Sequence, residues 1–377
     1  MVDLDLSRLS RHPDVEGPEL YASDAADRLL LDEAADALAQ TAGDAVVVIG
    51  DAYGALTLGA AARFGLRGIR VHQDALSGEY ALAANAETLG LADASRSHAM
   101  DAALLAGART VLVRLPRSLD ALDEITQAIA AHALPDVRVF AGGMIKHMAL
   151  AMNDVLRSRF ARLDVSHARQ KARVLIATGV IPDAATAASR WPVSRRDAQT
   201  GLEIVAHGAA FAGATVDIGT RFLLAHLDEA MPDASSAIDL GCGTGVLATC
   251  LALRRPGLRV LATDQSAAAV ASAAATAEAN GVGGRVAVVR DDALASAPGG
   301  SAELIVLNPP FHIGATVHPG IALKLFTAAA RVLAPGGELW AVWNSHLQYR
   351  ADLERIVGPT RQIARNSTFT STASRRP

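Results

Sequence analysis

The chain has 377 residues, of which 51% are hydrophobic and 20% are charged, and its formal net charge is −4. This length allows two domains that each bury a core, and the charge excludes a general basic coat for nucleic acid, although not a local basic patch. The two cysteines, Cys242 and Cys250, are too few for a disulfide framework or a zinc site, so we expect no metal. No apolar run approaches the roughly 20 residues of a membrane span, which predicts a soluble cytoplasmic protein without a membrane partner.

The first half alternates strands with helices after an irregular opening over residues 1–22. Ser23 and Asp24 can cap a helix over 25–39, whose apolar residues recur at helical spacing. The predicted strands are 45–50, 69–72, 110–114 and 137–141, and the predicted helices are 55–64, 78–89 and 121–132. This alternation predicts an α/β fold with a parallel sheet covered by helices on both faces.

The same order recurs in the second half. Its predicted strands are 236–240, 259–263, 286–290, 304–307 and 338–343, and its predicted helices are 246–253, 267–280 and 321–333. Four stretches of the first half match the second half in order, namely 48–56 with 239–247, 86–90 with 277–281, Asp74 within one residue of Asp264, and 112–116 near 306–310. We interpret this as an internal duplication of one domain; the alternative is chance similarity between two parallel-sheet domains.

The two copies differ at the positions where chemistry would take place. The first copy has Val48 for Asp239 and Ala52 for Gly243, and Arg114 and Leu115 stand in place of an Asn-Pro pair. We therefore predict a degenerate domain over 1–185 that kept the fold and lost the site, and a catalytic domain over 186–377. Between them, 157–196 is locally basic, which indicates either a solvated helix face with a linker or a contact with a polyanion.

A glycine-rich turn joins the strand 236–240 to the helix that follows it. Gly241, Gly243 and Gly245 can take positive φ and let the backbone approach a ligand, while the helix N-terminus offers free N–H groups. Asp239 at the end of the strand would repel a pyrophosphate but favours a cationic or amine-bearing ligand. A glycine turn alone is weakly specific, so its meaning depends on the residues that follow.

Two acidic positions follow the next two strands. Asp264 lies 23 residues after Gly241, where a carboxylate can bind both hydroxyls of a ribose, although it can also cap the next helix. Asp291 and Asp292 could accept from an exocyclic amine such as that of adenine, although either one could simply be a turn residue. Together with the turn, these positions suit an adenosine-containing cofactor without a pyrophosphate.

The fourth strand ends in Asn308, Pro309, Pro310 and Phe311. The two prolines remove N–H donors and leave carbonyls, so the Asn308 side-chain oxygen and the Pro309 carbonyl can accept both hydrogens of one –NH2 group. Phe311 can stack on a planar ring. Two acceptors favour a conjugated amine as it becomes pyramidal and partly positive, without a strong general base. The alternative is a Pro-Pro turn that merely ends a strand.

These motifs resemble the class I S-adenosylmethionine-dependent methyltransferases that modify exocyclic or amide nitrogens. The duplicated domains, Asp217-Ile-Gly-Thr220, Asn308-Pro-Pro-Phe-His312 and Asn344-Ser-His-Leu-Gln-Tyr349 further resemble the ribosomal RNA guanine-N2 methyltransferases. The large-subunit type, methyltransferase G, is nearest and the small-subunit type, methyltransferase C, is next. The resemblance implies two tandem Rossmann-like class I methyltransferase domains, S-adenosylmethionine as cofactor, and ribosomal RNA as partner, either naked or in a ribosomal particle.

The resemblance also implies a role for each motif residue. Asn308, Pro309, Pro310 and Phe311 would hold the target base as the catalytic set. His312 is either an RNA contact or a surface histidine. The implied cofactor residues are Gly219, Thr220, Asp239, Gly241, Gly243, Thr244, Gly245, Asp264, Gln265, Asp291, Asp292 and Asn308.

The main prediction is methyl transfer to guanine N2 by a monomeric protein. Three other functions remain open. A small-subunit rRNA enzyme shares every motif. A protein glutamine N5-methyltransferase shares the Asn-Pro-Pro-aromatic motif, although it usually has Tyr at Phe311 and no second copy of the fold. A non-enzymatic RNA-binding assembly factor is opposed by the intact second copy.

The polar stretch Ser367–Ser371 departs from the more apolar final strand that the family would suggest.

Overall fold

The computed structural model describes residues 4–309, 312–313, 316–317 and 319–377. The chain divides into two compact units, Met1–Trp191 and Pro192–Pro377. The first unit has the strands β1 Val46–Ile49, β2 Ile69–His72, β3 Ser95–Ser97, β4 Thr110–Arg114, β5 Arg138–Met144, β6 Phe160–Val165 and β7 Ala172–Val180. Its helices are α1 Ala25–Glu33, α2 Ala35–Ala39, α3 Ala55–Phe64, α4 Leu76–Thr88, α5 Ala102–Leu105, α6 Leu119–His132, α7 Ala151–Arg157 and α8 Pro182–Thr186.

The second unit begins with a hairpin and continues with the same kind of alternation. Its strands are β8 Val193–Arg196, β9 Glu203–Ala206, β10 Ser236–Leu240, β11 Arg259–Asp264, β12 Val286–Arg290, β13 Ala302–Leu307, β14 His312–Ile313, β15 Thr316–Val317, β16 Leu333–Asn344, β17 Thr360–Arg365 and β18 Phe369–Arg375. Its helices are α9 Ile218–Leu224, α10 Val246–Arg254, α11 Ala267–Ala279, α12 Pro319–Val332 and α13 Arg350–Ile356.

The two large sheets have the same topology. The first has the order β3-β2-β1-β4-β5-β7-β6 and the second the order β12-β11-β10-β13-β16-β18-β17. In each, the first five strands are parallel, and one antiparallel strand, β7 or β18, lies between the fifth and the last. The matching order and strand sense confirm the prediction of two tandem domains of one α/β fold.

The central strands are apolar along their whole length because both faces of each sheet are covered. In β1, Val46 and Val48 pack in one apolar cluster and Val47 and Ile49 in another, on the opposite face. The central strand of the second sheet does the same, with Ala237 on one side and Ile238 on the other. The carboxyl ends of parallel strands therefore meet at one edge, where β10, β11 and β13 deliver the predicted site residues.

The structure differs from the sequence-based predictions in three places. The helix predicted over 25–39 is two helices that meet at Ala34, a short interruption across which Leu38 N still bonds the Ala34 carbonyl at 2.9 Å. The basic stretch 157–196 is mainly β6, β7 and α8 of the first unit, and its last residues form β8 of the second unit, so it is not a separate connector. The polar strand β18 lies inside the second sheet, with Ser371 and Thr372 fully buried between β16 and β17.

Candidate active site

The glycine turn between β10 and α10 has the predicted conformation. Gly241, Gly243 and Gly245 have φ of 71°, 53° and 75°. A Cβ at Gly241 or Gly243 would meet no other atom within 4 Å, whereas one at Gly245 would lie 2.9 Å from the Cα and Cβ of Ala273. The first two glycines therefore border open space, while the third allows α10 and α11 to pack closely.

Asp239 lies beneath the turn and is only 1% exposed. Its Oδ2 accepts a hydrogen bond from Ala248 N–H at 2.9 Å, but its Oδ1 is buried without a partner among the described residues. Burial, reinforced by the charge of Asp264, raises the pKa of Asp239 to about 7. An unpaired buried carboxylate oxygen is unfavourable unless a donor reaches it, so Asp239 Oδ1 is suited to accept a hydrogen bond from a ligand.

Asp264 ends β11 and connects the turn to the next helix. Its Oδ2 accepts from Gly243 N–H at 3.1 Å and its Oδ1 from Ser266 N–H at 2.9 Å. The carboxylate therefore lies at the turn, and it also holds the residue that caps α11. Gln265 follows it, and the Gln265 carbonyl accepts from Arg290 Nε at 3.2 Å.

Asp291 and Asp292 follow β12, and each has a partner inside the protein. Asp291 is 7% exposed, and its Oδ2 accepts from the backbone and hydroxyl of Ser296 at 3.1 and 2.8 Å. Asp292 pairs with Lys324 Nζ at 2.6 Å. Asp291 thus shapes the loop after β12, while Asp292 offers a carboxylate that is already neutralised by a lysine.

Asn308 and Pro309 follow β13 at the same edge of the sheet. Asn308 Nδ2 donates to Asp217 Oδ2 at 2.9 Å and to Thr220 Oγ1 at 3.0 Å, while its Oδ1 is buried without a partner among the described residues. Pro309 is buried. The predicted Pro310 and Phe311 lie outside the described residues, and His312 is described only as the first backbone position of β14.

A cavity brings much of this set together. The predicted residues that line it are Thr220, Gly241, Gly243, Thr244 and Asn308, whereas Gly219, Asp239, Gly245, Asp264, Gln265, Asp291, Asp292 and Pro309 do not. The lining residues that were not predicted from the sequence include Asp217 at the N-terminus of α9 and Phe211, which is 72% exposed. The Asp-x-Gly-Thr motif contained the signal for Asp217, because aspartate is a preferred N-cap residue at the start of a helix.

Neither cysteine thiol is activated for nucleophilic attack. Burial and the nearby carboxylates Asp239 and Asp264 raise the pKa of the Cys242 thiol well above its usual range. Burial raises the pKa of Cys250 to about 11. Across the described part of the chain, no three His, Cys, Asp or Glu side chains are grouped to hold a metal ion, and no helix combines the length and apolarity needed to cross a membrane.

The first copy keeps the shape of the glycine turn. Gly50, Ala52 and Gly54 have φ of 77°, 60° and 100°, so an alanine takes the left-handed conformation where the second copy has a glycine. The first turn glycine bonds the His72 carbonyl in this copy, and the corresponding glycine in the second copy bonds that of Thr263. The next residues, Gln73 and Asp264, therefore correspond, which corrects the alignment of Asp74 with Asp264 by one position.

The carboxylate beneath the turn has moved in the first copy. Asp51 is 3% exposed and accepts from Leu56 N–H at 2.7 Å and Thr57 N–H at 2.8 Å. Thr57 occupies the helix position of Ala248, the donor to Asp239 in the second copy, at the same offset of 191 (248 minus 57). Both oxygens of Asp51 thus have partners inside the protein, whereas one oxygen of Asp239 has none among the described residues.

The position of Asn308 is also changed. In the first sheet Val113 lies opposite Ile49, the last residue of β1, and in the second sheet Leu307 lies opposite Leu240, the last residue of β10. The residues that follow, Arg114 and Asn308, are therefore counterparts. Arg114 forms ion pairs with Asp24, which caps α1, and with Asp27, whose side chain is 4% exposed. An ion-paired cluster therefore fills the place where the second copy has an unpaired acceptor.

Comparison with known proteins identifies the family. Residues 3–180 match the RLMG N-terminal domain and residues 201–372 match the methyltransferase small domain. The "Ribosomal RNA large subunit methyltransferase G" of Ectopseudomonas mendocina is 36% identical over 364 residues, covering 96% of this chain and 95% of the relative. The chain belongs to the ribosomal RNA large subunit methyltransferase G family. This confirms the family predicted from the sequence.

Other relatives extend the comparison. The methyltransferase G of Streptomyces coelicolor is 35% identical over 369 residues, and the match covers 96% of this chain and 96% of the relative. The T. thermophilus 16S rRNA N2 G1207 methyltransferase RsmC, solved with AdoMet and guanosine, superimposes with a TM-score of 0.74 over 96% of this chain and 97% of that one. At 22% identity, that likeness shows the shared fold of two class I methyltransferase domains. The family and the fold fit the predicted cofactor, S-adenosylmethionine.

Proposed function

We propose that this methyltransferase G family member transfers a methyl group from S-adenosylmethionine to the exocyclic N2 of a guanine in large-subunit ribosomal RNA. The observation that carries the proposal is the amide of Asn308, whose buried oxygen has no partner among the described residues and lies beside the glycine turn. An unpaired acceptor at the carboxyl edge of a parallel sheet suits an amino group of a substrate. The family supplies the substrate class.

The residues around the turn fit the cofactor. Gly241 and Gly243 leave open space for the methionine part, and the free oxygen of Asp239 can accept from its amine. Asp264 lies where a ribose would bind, beside the turn that it supports. When bound, the cofactor supplies an electrophilic methyl group. We assign Gly219 and Thr220 to the same end, and the loop of Asp291 and Asp292 to the adenine.

The protein acts on the target amine through acceptors and orientation. Asn308 Oδ1 and the Pro309 carbonyl would accept the two hydrogens of guanine N2. This arrangement favours the nitrogen as its lone pair leaves the ring and positive charge develops. No general base is required, and the raised pKa values of both cysteine thiols disfavour their thiolate forms. Because N2 must enter a cavity, the target guanine must leave its stack or lie in a single-stranded loop.

The first domain would recognise RNA without binding cofactor. Its site positions carry other side chains, and the carboxyl edge of its sheet is basic: Arg117 Nη2 lies 3.3 Å from His147 Nε2. Partial burial and the positive charges of Arg117, Lys146 and Arg114 lower the pKa of His147. Such a cluster suits phosphates. This replaces the basic stretch 157–196 as the RNA contact, since several of its arginines pair within the domain, among them Arg159 and Arg190 with Asp123.

The proposed chemistry also bears on assembly and location. Every proposed site residue belongs to Pro192–Pro377 of one chain, so a monomer can be complete, and a ribosomal RNA substrate implies action in the cytoplasm. The test is transfer of labelled methyl from S-adenosylmethionine to ribosomal RNA, followed by mass spectrometry of the nucleosides. We expect N2-methylguanosine from the native chain. Asn308→Ala should reduce turnover much more than cofactor affinity, and equal loss of both would contradict the role of Asn308.

A further inference from the structure

The amide of Asn308 has all of its donors occupied and its acceptor free. One N–H of Nδ2 is directed at Asp217 Oδ2, 2.9 Å away, and the other at Thr220 Oγ1, 3.0 Å away. The oxygen on the other side of the amide has no partner among the described residues. The side chain can therefore offer a substrate an acceptor but no donor, which is what an amino group requires.

The carboxylate of Asp217 determines this orientation. Its Oδ2 also accepts from Gly219 N–H at 2.9 Å and Thr220 N–H at 3.2 Å, so the carboxylate is fixed at the start of α9. A carboxylate only accepts hydrogen bonds, whereas the Thr220 hydroxyl can donate or accept. Rotating the Asn308 amide by half a turn would put two oxygens in contact at Asp217, so the carboxylate excludes that arrangement.

Gly219 provides the space beside the free oxygen. A Cβ at this position would lie 3.3 Å from Asn308 Oδ1 and 3.1 Å from Asp217 Oδ2. Both contacts are tighter than is usual for a Cβ, so a larger residue would push on the amide and on the carboxylate together. The sequence Asp-x-Gly-Thr thus supplies the acceptor that fixes the amide, room for its oxygen, and a second acceptor.

The first copy keeps the contact and loses the acceptor. Asp24 caps α1 by accepting from Ala26 N–H at 2.7 Å, as Asp217 accepts from Gly219 N–H in the second copy. Asp24 also pairs with Arg114, the counterpart of Asn308. Arginine has only donors, so the same contact between a cap and a strand end leaves nothing for an amino group. A free acceptor at this position therefore requires Asn308 in place of arginine, and the orientation of the Asn308 amide requires the carboxylate of Asp217.

We propose that Asp217 is a positioning residue that fixes the Asn308 amide so that its oxygen faces the substrate, and that it thereby selects an amino group over a carbonyl as methyl acceptor. The inference rests on the proposed function, because it concerns how the same acceptor is held. Asp217 acts through Asn308 and touches neither the amine nor the methyl group. Its loss should therefore lower turnover and leave binding of RNA and cofactor unchanged.

The test uses the full chain with Asp217→Ser, since serine still caps a helix but is too short to reach Asn308. We expect turnover on ribosomal RNA from a strain lacking the gene to fall roughly tenfold to a hundredfold, the range for losing a hydrogen bond to a charged group. The KM for RNA and the cofactor Kd should stay unchanged. The matched control is Asp101→Ser, at another aspartate cap that accepts from two N–H groups, at 2.9 and 3.1 Å, and it should leave turnover unchanged.

Two further variants separate positioning from a general structural effect. Asp217→Asn keeps an oxygen of the same reach and should retain more turnover than Asp217→Ser. On an Asn308→Ala background, Asp217→Ser should cause little further loss, because the group that it orients is gone. Full turnover in Asp217→Ser, no advantage for Asp217→Asn, or an undiminished loss on the Asn308→Ala background would each overturn the inference. Failure of the native chain to form N2-methylguanosine would instead overturn the proposed function.

Discussion

The turn glycines permit a sharp test, because two of them differ in what surrounds them. Gly243→Ala places a methyl group in open space, with no other atom within 4 Å. Its φ of 53° costs an alanine about 1 kcal/mol, partly offset by the lower entropy of the unfolded chain. Ala52, at φ 60° in the first copy, shows that alanine is accommodated in this conformation. We therefore expect a folded protein whose unfolding free energy is lowered by about 1 kcal/mol at most.

Gly245→Ala combines the same backbone strain with a steric conflict. The new Cβ would lie 2.9 Å from the Cα and Cβ of Ala273, so α10 and α11 must move apart. Overpacking of this kind costs about 1–3 kcal/mol, and the positive φ adds about 1 kcal/mol. The expected loss of stability is therefore about 3 kcal/mol, several times that of Gly243→Ala.

The assay pairs urea unfolding with calorimetry of S-adenosylmethionine binding. Gly243→Ala should unfold nearly as the native protein does yet bind cofactor at least about tenfold more weakly, because its methyl group would occupy space that the ligand needs. Gly245→Ala should differ from the native protein mainly in its stability to urea. The matched control, Ala52→Gly, should leave cofactor binding unchanged because that copy is expected to bind none. Native affinity in Gly243→Ala would refute the placement of the cofactor at this turn.

Three other outcomes follow from charged groups. The pKa of Asp239 is about 7 in the folded protein against 3.8 when unfolded, so its contribution to the unfolding free energy falls as pH rises between these values. Urea unfolding should therefore show that Asp239→Asn stabilises the protein more at pH 8 than at pH 4. Arg114→Ala leaves Asp27 buried without its cation and should lower the unfolding free energy by about 3 kcal/mol, with partial recovery when Asp27→Ala is added; no loss would mean that the pair is dispensable. Arg117→Ala with Lys146→Ala should weaken binding to ribosomal RNA and flatten its salt dependence in filter-binding titrations, while an unchanged salt slope would remove this cluster from the RNA interface.

The parallel part of each sheet could be predicted because its strands are apolar on both faces. β1, β2, β4, β10 and β12 lie within one residue of their predicted bounds. The turn residues were recognisable because three glycines at alternate positions follow a buried strand and acidic residues follow the next two strands. These features depend on neighbours that are close in sequence or on a repeated pattern, so a single chain is enough to find them.

The antiparallel strands and the supports of the site could not be predicted in this way. β18 is buried although it carries Ser371 and Thr372, because strands on both sides pair with its backbone, a fact that hydropathy does not reveal. β7 was not predicted because it lies within the stretch 157–196, which was interpreted by its charge as a basic connector. Asp217 acts on a residue 91 positions away, so only the fold brings the two side chains together. The partners that Asp291 and Asp292 have within the protein also became visible only in three dimensions.

Methylation of guanine N2 by the second domain is tested most directly in cells. Ribosomal RNA from a strain lacking the gene would be digested and mapped by mass spectrometry, with the gene restored in its native form or as Asn308→Ala. We expect one N2-methylguanosine of large-subunit RNA to disappear on deletion, to return with the native gene, and to stay absent with Asn308→Ala. An unchanged set of N2-methylguanosines after deletion, or full restoration by Asn308→Ala, would contradict the assignment.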